Sequence, residues 1–215
     1  MNFTHIPLST YLAQIPPCGQ HILAQQKEDQ ILVYQAFSPH IADYALAHQH
    51  FGGPAYSYNR MSWIKPNFLW MMYRCGWAAK ENQKRVLGIW IDKQDFESIL
   101  REATYSSYQS DIYESREAWK ASLAKTEVRL QWDPDHDIYG NKEIRRAIQL
   151  GLKGDMLKKF GKEMIRAIID LTEFSQSQKL KIDQKNTEEV QIPLEEIYLS
   201  NDPSLNKKLG IGTKT

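Results

Sequence analysis

Apolar and polar residues follow one another along this chain in short runs, and each run ends at turn-forming residues. Gln30–Phe37 and Arg85–Ile91 are apolar and rich in β-forming residues, which predicts two buried strands. Glu127–Trp132 alternates as a half-buried strand does, and Arg145–Leu150 is a further strand candidate. His21–Gln25 stands before a short polar turn, so we expect it to form a hairpin with the first strand.

Helical spacing of apolar residues predicts short helices between these strands. Ser38 and Pro39 open one of them, because serine caps helices and proline fits the first turn. Pro66 opens another, which runs to Cys75 and stops at Gly76. The same spacing predicts three more helices, at Gln94–Leu100, Arg116–Leu123 and Gly151–Phe160.

Composition divides the chain into three parts. Residues 1–19 are rich in proline and predict an N-terminal arm laid over the domain. Residues 20–174 hold the alternating strands and helices, and residues 175–215 predict a polar linker and a C-terminal tail that packs on the core. The order of elements predicts an α+β fold, a single domain with a mixed or split, antiparallel-rich sheet flanked by short helices.

Bulk composition narrows the classes of function. The 215 residues are 42% hydrophobic and 25% charged with a net charge of +1, so no global field draws the protein to DNA or a membrane. Cys18 and Cys75 lack metal spacing and predict reduced thiols in a cytoplasmic protein, with no metal site. Met1–Leu12 does not resemble a signal peptide, and the apolar run at Phe68–Met72 is too short to cross a bilayer.

The stretch Arg60–Trp77 carries the most informative chemistry. It reads R-M-S-W-I-K-P-N-F-L-W-M-M-Y-R-C-G-W and mixes three tryptophans with three cations. Aromatic rings among cations suit a flat anionic ligand, which means a nucleotide or a nucleic acid. The side chains concerned are Arg60, Trp63, Lys65, Trp70 and Arg74. The alternative is an amphipathic core helix whose charged side chains extend to solvent.

Polar residues interrupt three apolar strand candidates. Tyr34 and Gln35 end the first strand, Gln131 lies in the third, and Arg146 and Gln149 lie in the fourth. A buried amide needs partners, so these side chains either bond to neighbouring backbone or project into a ligand cleft. Their convergence with the Trp/Arg stretch on one cleft is the main sequence argument for a binding site.

Common catalytic motifs are missing, and one acidic loop is ambiguous. The chain has no P-loop, Rossmann glycine pattern, zinc-protease motif or nucleophile elbow. Asp133, Asp135 and Asp137 resemble the start of a calcium loop, but the glycine falls late and no bidentate glutamate follows. A solvated turn therefore fits better, although Asp133 stays a candidate catalytic carboxylate at the end of a strand.

Four blocks of sequence resemble the DUF4291 family, whose function is unknown. They are Ile31–Asp43, Arg60–Trp77, Val128–Asp137 and Arg146–Gly154, in that order. The order of elements also resembles ADP-ribosyltransferases, which handle NAD with a first-strand His or Arg and a late-strand acidic residue. Tyr34 and Gln35 take the first-strand place here, without His or Arg, and Asp133 or Glu127 takes the late-strand place.

The Trp/Arg stretch predicts a nucleotide-binding protein, and the resemblance to ADP-ribosyltransferases implies NAD as cofactor and transfer of ADP-ribose to a nucleic-acid or protein acceptor as the reaction. Arg60, Lys65 and Arg74 would neutralise the pyrophosphate. Trp63, Trp70 or Tyr34 would stack on a ring, and Arg146 and Gln149 would add contacts. Gln35 would hold the ring amide, and Asp133 or Glu127 would stabilise the oxocarbenium-like centre. Two alternatives stay open: a single-stranded nucleic-acid-binding module without catalysis, and a non-catalytic partner-binding protein.

Overall fold

The computed structural model describes residues 3–212, which form eight α-helices and twelve strands. The strands are β1 (His5–Pro7), β2 (Ile22–Ala24), β3 (Gln26–Lys27), β4 (Gln30–Phe37), β5 (Ser62–Ile64), β6 (Arg85–Asp92), β7 (Ala103–Tyr105), β8 (Val128–His136), β9 (Lys142–Leu152), β10 (Ile165–Asp170), β11 (Gln191–Pro193) and β12 (Glu196–Tyr198). The helices are α1 (Leu8–Gln14), α2 (Pro39–His48), α3 (Phe68–Cys75), α4 (Lys93–Glu102), α5 (Arg116–Lys125), α6 (Gly154–Lys159), α7 (Thr172–Asp183) and α8 (Pro203–Leu209). The predicted α+β class is confirmed.

The first sheet is antiparallel and has the strand order β10-β6-β4-β3. Its centre is the predicted pair of apolar strands, β4 and β6, which are in register from Gln30 opposite Asp92 to Phe37 opposite Arg85. Ile31 and Val33 face one hydrophobic cluster, whereas Leu32 and Tyr34 face another. Burial on both faces explains why β4 reads as a continuous apolar run.

The second sheet has the order β5-β9-β8-β7, antiparallel except for the parallel pair β7 and β8. Leu130 and Leu150 pack into the cluster that also contains Val33. The sheets meet at an isolated bridge between Tyr34 of β4 and Lys65, which exchange two backbone hydrogen bonds of 2.7 and 3.1 Å. The predicted split sheet therefore takes the form of two sheets joined at one point.

Helix α3 packs on the outer face of β4 and begins two residues later than predicted. Asn67 caps it, because its Oδ1 accepts a hydrogen bond of 2.7 Å from the Trp70 backbone N–H. Gly76 ends it in the left-handed conformation, as its position in the sequence predicts.

The terminal segments contain more regular structure than their composition predicts. The polar stretch expected to be a linker holds most of α7, where Ser175 and Gln178 are buried. Strands β11 and β12 of the tail pair with β1 and β2, and the predicted hairpin with β4 is formed by the short β3, with a further hydrogen bond from the Leu32 N–H to the Gln25 carbonyl oxygen. The predicted boundary after residue 174 falls inside α7, whereas the one after residue 19 lies in the connection between α1 and β2. Within the described residues, no helix has the length and apolar character to cross a membrane.

Candidate functional site

A cavity of about 690 Å³ opens where β4 and the segment leading into β5 separate beyond the Tyr34–Lys65 bridge. The end of β4 and the start of α2 form one wall, and the loop before β5 forms another. The lining residues are Gln35, Ala36, Phe37, Ser38, Ile41, Ala55, Tyr56, Ser57, Arg60, Met61, Ser62, Trp63, Lys65, Met71, Arg74, Asn82, Gln83 and Gln149. The structure thus brings together six of the predicted site residues.

The lining is cationic. Arg60, Lys65 and Arg74 belong to it, and no Asp or Glu is found among its described residues. Within residues 3–212 none of these three side chains forms an ion pair, although four other arginines do: Arg85, Arg101, Arg145 and Arg166. Unpaired cations around a concave surface create a positive potential that attracts an anion.

Lys65 is the most deeply placed of the three cations, with a relative exposure of 4%. Burial, together with the like charge of Arg74, lowers the pKa of Lys65 to about 8, although Asp133 and Cys75 act in the opposite direction. The backbone of Lys65 is fixed by the bridge to Tyr34, in which both the N–H and the carbonyl group of Lys65 form hydrogen bonds. No hydrogen-bond partner of its ammonium group is found among the described residues.

Gln35 of β4 connects the two walls by hydrogen bonds to β5. Its Nε2 donates to Ser62 Oγ at 2.8 Å and to the Trp63 carbonyl oxygen at 3.2 Å. Within residues 3–212 its Oε1 is buried and has no hydrogen-bond partner, and the same is true of Gln83 Oε1 in the same lining. An unsatisfied buried acceptor costs about 1–3 kcal/mol, so both oxygens can gain from a ligand that donates hydrogen bonds.

Of the aromatic residues predicted to stack on a ligand, only Trp63 lines the cavity. Its ring packs over Gly151, where a Cβ atom would lie 2.9 Å from it. Trp70 instead stacks against Tyr73 and His136, with ring centroids 5.4 and 5.2 Å away.

Tyr34 also lies outside the lining. It is fully buried, meets the ring of Phe68 edge-on at 5.5 Å, and has its pKa raised by burial. The prediction that Tyr34 or Trp70 stacks on a bound ring therefore does not fit the structure, because packing occupies both rings.

Asp133 sits behind the cavity wall, within β8 and not in a loop after it. Its carboxylate accepts hydrogen bonds from Gln131 Nε2 at 2.8 Å and from Gln149 Nε2 at 2.7 Å. Gln149 lines the cavity, and Asp133 acts on the Lys65 pKa through its charge. Asp133 therefore contacts the cavity lining through its hydrogen bond from Gln149.

Two predicted site residues lie elsewhere. Glu127 accepts hydrogen bonds from the backbone N–H groups of Asp155 and Met156 at 3.0 and 2.7 Å, so it caps α6. Arg146 is three residues from Gln149 on β9, and side chains alternate along a strand, so the two point to opposite faces. Neither residue belongs to the cavity lining, so a catalytic role for Glu127 and a ligand contact by Arg146 stay predictions that this cavity does not support.

Sequence reasoning missed Glu195, a fully buried carboxylate at the N-terminus of α3. It accepts from the Phe68 N–H at 2.6 Å, the Tyr11 hydroxyl at 3.0 Å and Asn67 Nδ2 at 3.2 Å. Burial raises its pKa well above the usual range. Glu195 and the Asn67 side chain therefore already occupy the backbone N–H groups of Phe68 and Trp70 at the start of α3. The sequence signal that could have indicated this buried carboxylate is the position of Glu195 within the largely apolar run of residues 192–198.

A family model described as a domain of unknown function (DUF4291) matches residues 21–198, and the chain belongs to this family. The match covers the whole cavity lining. A comparison with curated proteins finds no match.

Proposed function

For this member of the DUF4291 family, we propose that the chain binds a phosphorylated nucleotide in the cavity between β4 and β5. The observation that carries the proposal is the set of three unpaired cations, Arg60, Lys65 and Arg74, in a lining without an acidic residue among those described. Each guanidinium group can donate two parallel hydrogen bonds to the oxygens of one phosphate, and the buried lysine adds a localised positive charge.

The neutral part of the lining suits a nucleotide base. Trp63 supplies a ring for stacking, which is worth about 1–3 kcal/mol per base, whereas the Tyr56 ring already stacks on Phe51 at 4.9 Å and adds an aromatic wall. The free oxygens of Gln35 and Gln83 accept hydrogen bonds from exocyclic amino or amide groups. A volume of about 690 Å³ accommodates a dinucleotide of the size of NAD.

NAD is our first choice of ligand, because its pyrophosphate and two rings match the cations and aromatic groups of the lining. Transfer of its ADP-ribosyl group would also need a carboxylate near the reacting ribose. Of the two predicted carboxylates, Asp133 touches the lining residue Gln149, whereas Glu127 caps α6. Binding is thus better supported than transfer, and Asp133 is the residue to test for transfer.

Calorimetric titration of the chain with NAD and with ADP tests the proposal. We expect Arg74→Ala to weaken binding about tenfold or more, since a hydrogen bond to a charged group contributes about 1.5–3 kcal/mol. Arg116→Ala is the matched control, because this arginine sits over the Tyr108 ring and is not a lining residue. Absence of binding at millimolar nucleotide would refute the proposal.

The same titration with a single-stranded oligonucleotide separates the other candidate ligand. An affinity for the oligonucleotide that falls steeply with salt, together with weak NAD binding, would favour the nucleic-acid-binding alternative.

A further inference from the structure

Lys65 has an environment that its role in phosphate binding does not require. Its side chain is 4% exposed, it belongs to the cavity lining, and its ammonium group has no partner among the described residues. Arg60 and Arg74 have exposed side chains and already supply positive charge to the same lining. A third cation that served only as a counter-ion would gain from exposure, because burial penalises its charged form.

We propose that Lys65 is a nucleophilic lysine that forms an imine with the carbonyl carbon of a ligand whose phosphates are bound by Arg60 and Arg74. This inference rests on the proposed nucleotide site and adds to NAD a second class of ligand for it, nucleotides that carry an aldehyde or ketone. A diphosphate nucleotide whose second ribose has a free anomeric carbon, such as ADP-ribose, belongs to this class because its ring opens to an aldehyde.

Imine formation needs an uncharged amine, and the surroundings of Lys65 favour one. The charged and titratable groups around it are Arg74 and Cys75 of α3, Asp133 of β8, and Arg60 of the same lining. Burial and Arg74 dominate, so the pKa falls to about 8 and about a tenth of the amine is uncharged at pH 7. An exposed lysine has an ordinary pKa of about 10.4 and is almost wholly charged there.

The step balances without an oxidant or a reductant. The Nζ lone pair attacks the carbonyl carbon, the C–O π bond breaks, and the oxygen takes up a proton. Elimination of water then forms the C=N bond, and the amine loses both of its hydrogens to that water. The backbone bonds to Tyr34 keep Lys65 in place during the attack.

Reductive trapping tests the proposal. The chain is incubated with ADP-ribose and sodium cyanoborohydride, and modified residues are mapped by mass spectrometry. We expect one adduct, equal to ADP-ribose less one oxygen atom, to form at Lys65 much faster than at any other lysine. ADP, which has no free aldehyde, should give no adduct and should slow the trapping by competition. Lys120→Arg, a change at an exposed lysine of α5, should leave the trapping rate unchanged.

Two further measurements separate this inference from the proposed function. Lys65→Met should abolish the adduct, and acetylation of Lys65 by acetic anhydride should rise with pH around a midpoint of about 8. Trapping spread evenly over the exposed lysines of the wild-type chain, with ADP still bound in the calorimeter, would overturn the nucleophile and leave the nucleotide site standing. Mapping on the wild type keeps the test decisive even if Lys65→Met does not fold.

Discussion

Removal of the buried carboxylate of Glu195 should be among the most damaging single changes in this chain. Glu195→Ala leaves two buried donors without an acceptor, the Phe68 N–H and the Tyr11 hydroxyl, and Asn67 Nδ2 keeps only a long hydrogen bond of 3.5 Å to the Tyr11 hydroxyl oxygen. Each unsatisfied buried donor costs about 1–3 kcal/mol, and part of the total is offset because a desolvated charge is also removed. We expect the free energy of unfolding to fall by about 3 kcal/mol.

Thermal unfolding followed by circular dichroism measures this loss. For a chain of this length, about 1 kcal/mol corresponds to about 2–4 °C, so the melting temperature should fall by about 6–12 °C. Glu196→Ala is the matched control, because the neighbouring side chain is exposed and should contribute less than about 0.5 kcal/mol. Equal melting temperatures for the two variants would refute the view that Glu195 holds the start of α3.

The pH dependence of stability provides a second test of the same residue. The folded pKa of Glu195 is raised, so the folded state binds its proton more tightly than the unfolded state, where the pKa is about 4.3. Its contribution to stability therefore falls as the pH rises from about 4.3 through the raised folded pKa. Glu195→Gln lacks this titration and keeps one acceptor oxygen for Phe68, so its stability should depend less on pH than that of the wild type.

Three further changes probe the regions around the cavity. Asp135→Asn should lower the free energy of unfolding, measured in urea, by about 3–5 kcal/mol, because the buried Arg145 loses the negative charge of its ion-pair partner. Gly151→Ala should displace the Trp63 ring, which would lie 2.9 Å from the added Cβ, and weaken NAD binding severalfold in calorimetry. Asp133→Asn should move the acetylation midpoint of Lys65 to lower pH, because the carboxylate raises that pKa; an unchanged midpoint would contradict the assigned charge effect.

The fold could be predicted where burial and sequence pattern agree. Strand β4 is buried on both faces, so its apolar run marks the whole of Gln30–Phe37. Helix α7 could not be predicted this way, because polar side chains fill its buried face. Gln178, for example, is 4% exposed and accepts a hydrogen bond of 2.8 Å from the Gln191 backbone N–H. A polar residue with a distant backbone partner looks in sequence like a solvated one.

The site was predictable to the extent that it is local in sequence. Arg60, Trp63 and Lys65 lie on one short segment, and the hydrogen bonds of Gln35 to Ser62 and to the Trp63 carbonyl bring β4 to it. Arg146 lies outside the lining and Gln149 within it, and only the structure shows which of the two faces the cavity. The odd spacing of Arg146 from Gln149 already excluded a shared face.

The charge of the cavity shows why a net charge of +1 is compatible with an anion site. Elsewhere in the described chain, arginines such as Arg85 and Arg166 are matched by aspartates across neighbouring elements. No acidic residue occurs in the sequence between Asp43 and Glu81, and Arg60, Lys65 and Arg74 all lie in that interval. A local stretch without carboxylates leaves its cations unpaired unless the fold brings an acidic residue to them. The fold brings Asp133 only as far as Gln149, so the positive charge of the lining remains available to a ligand.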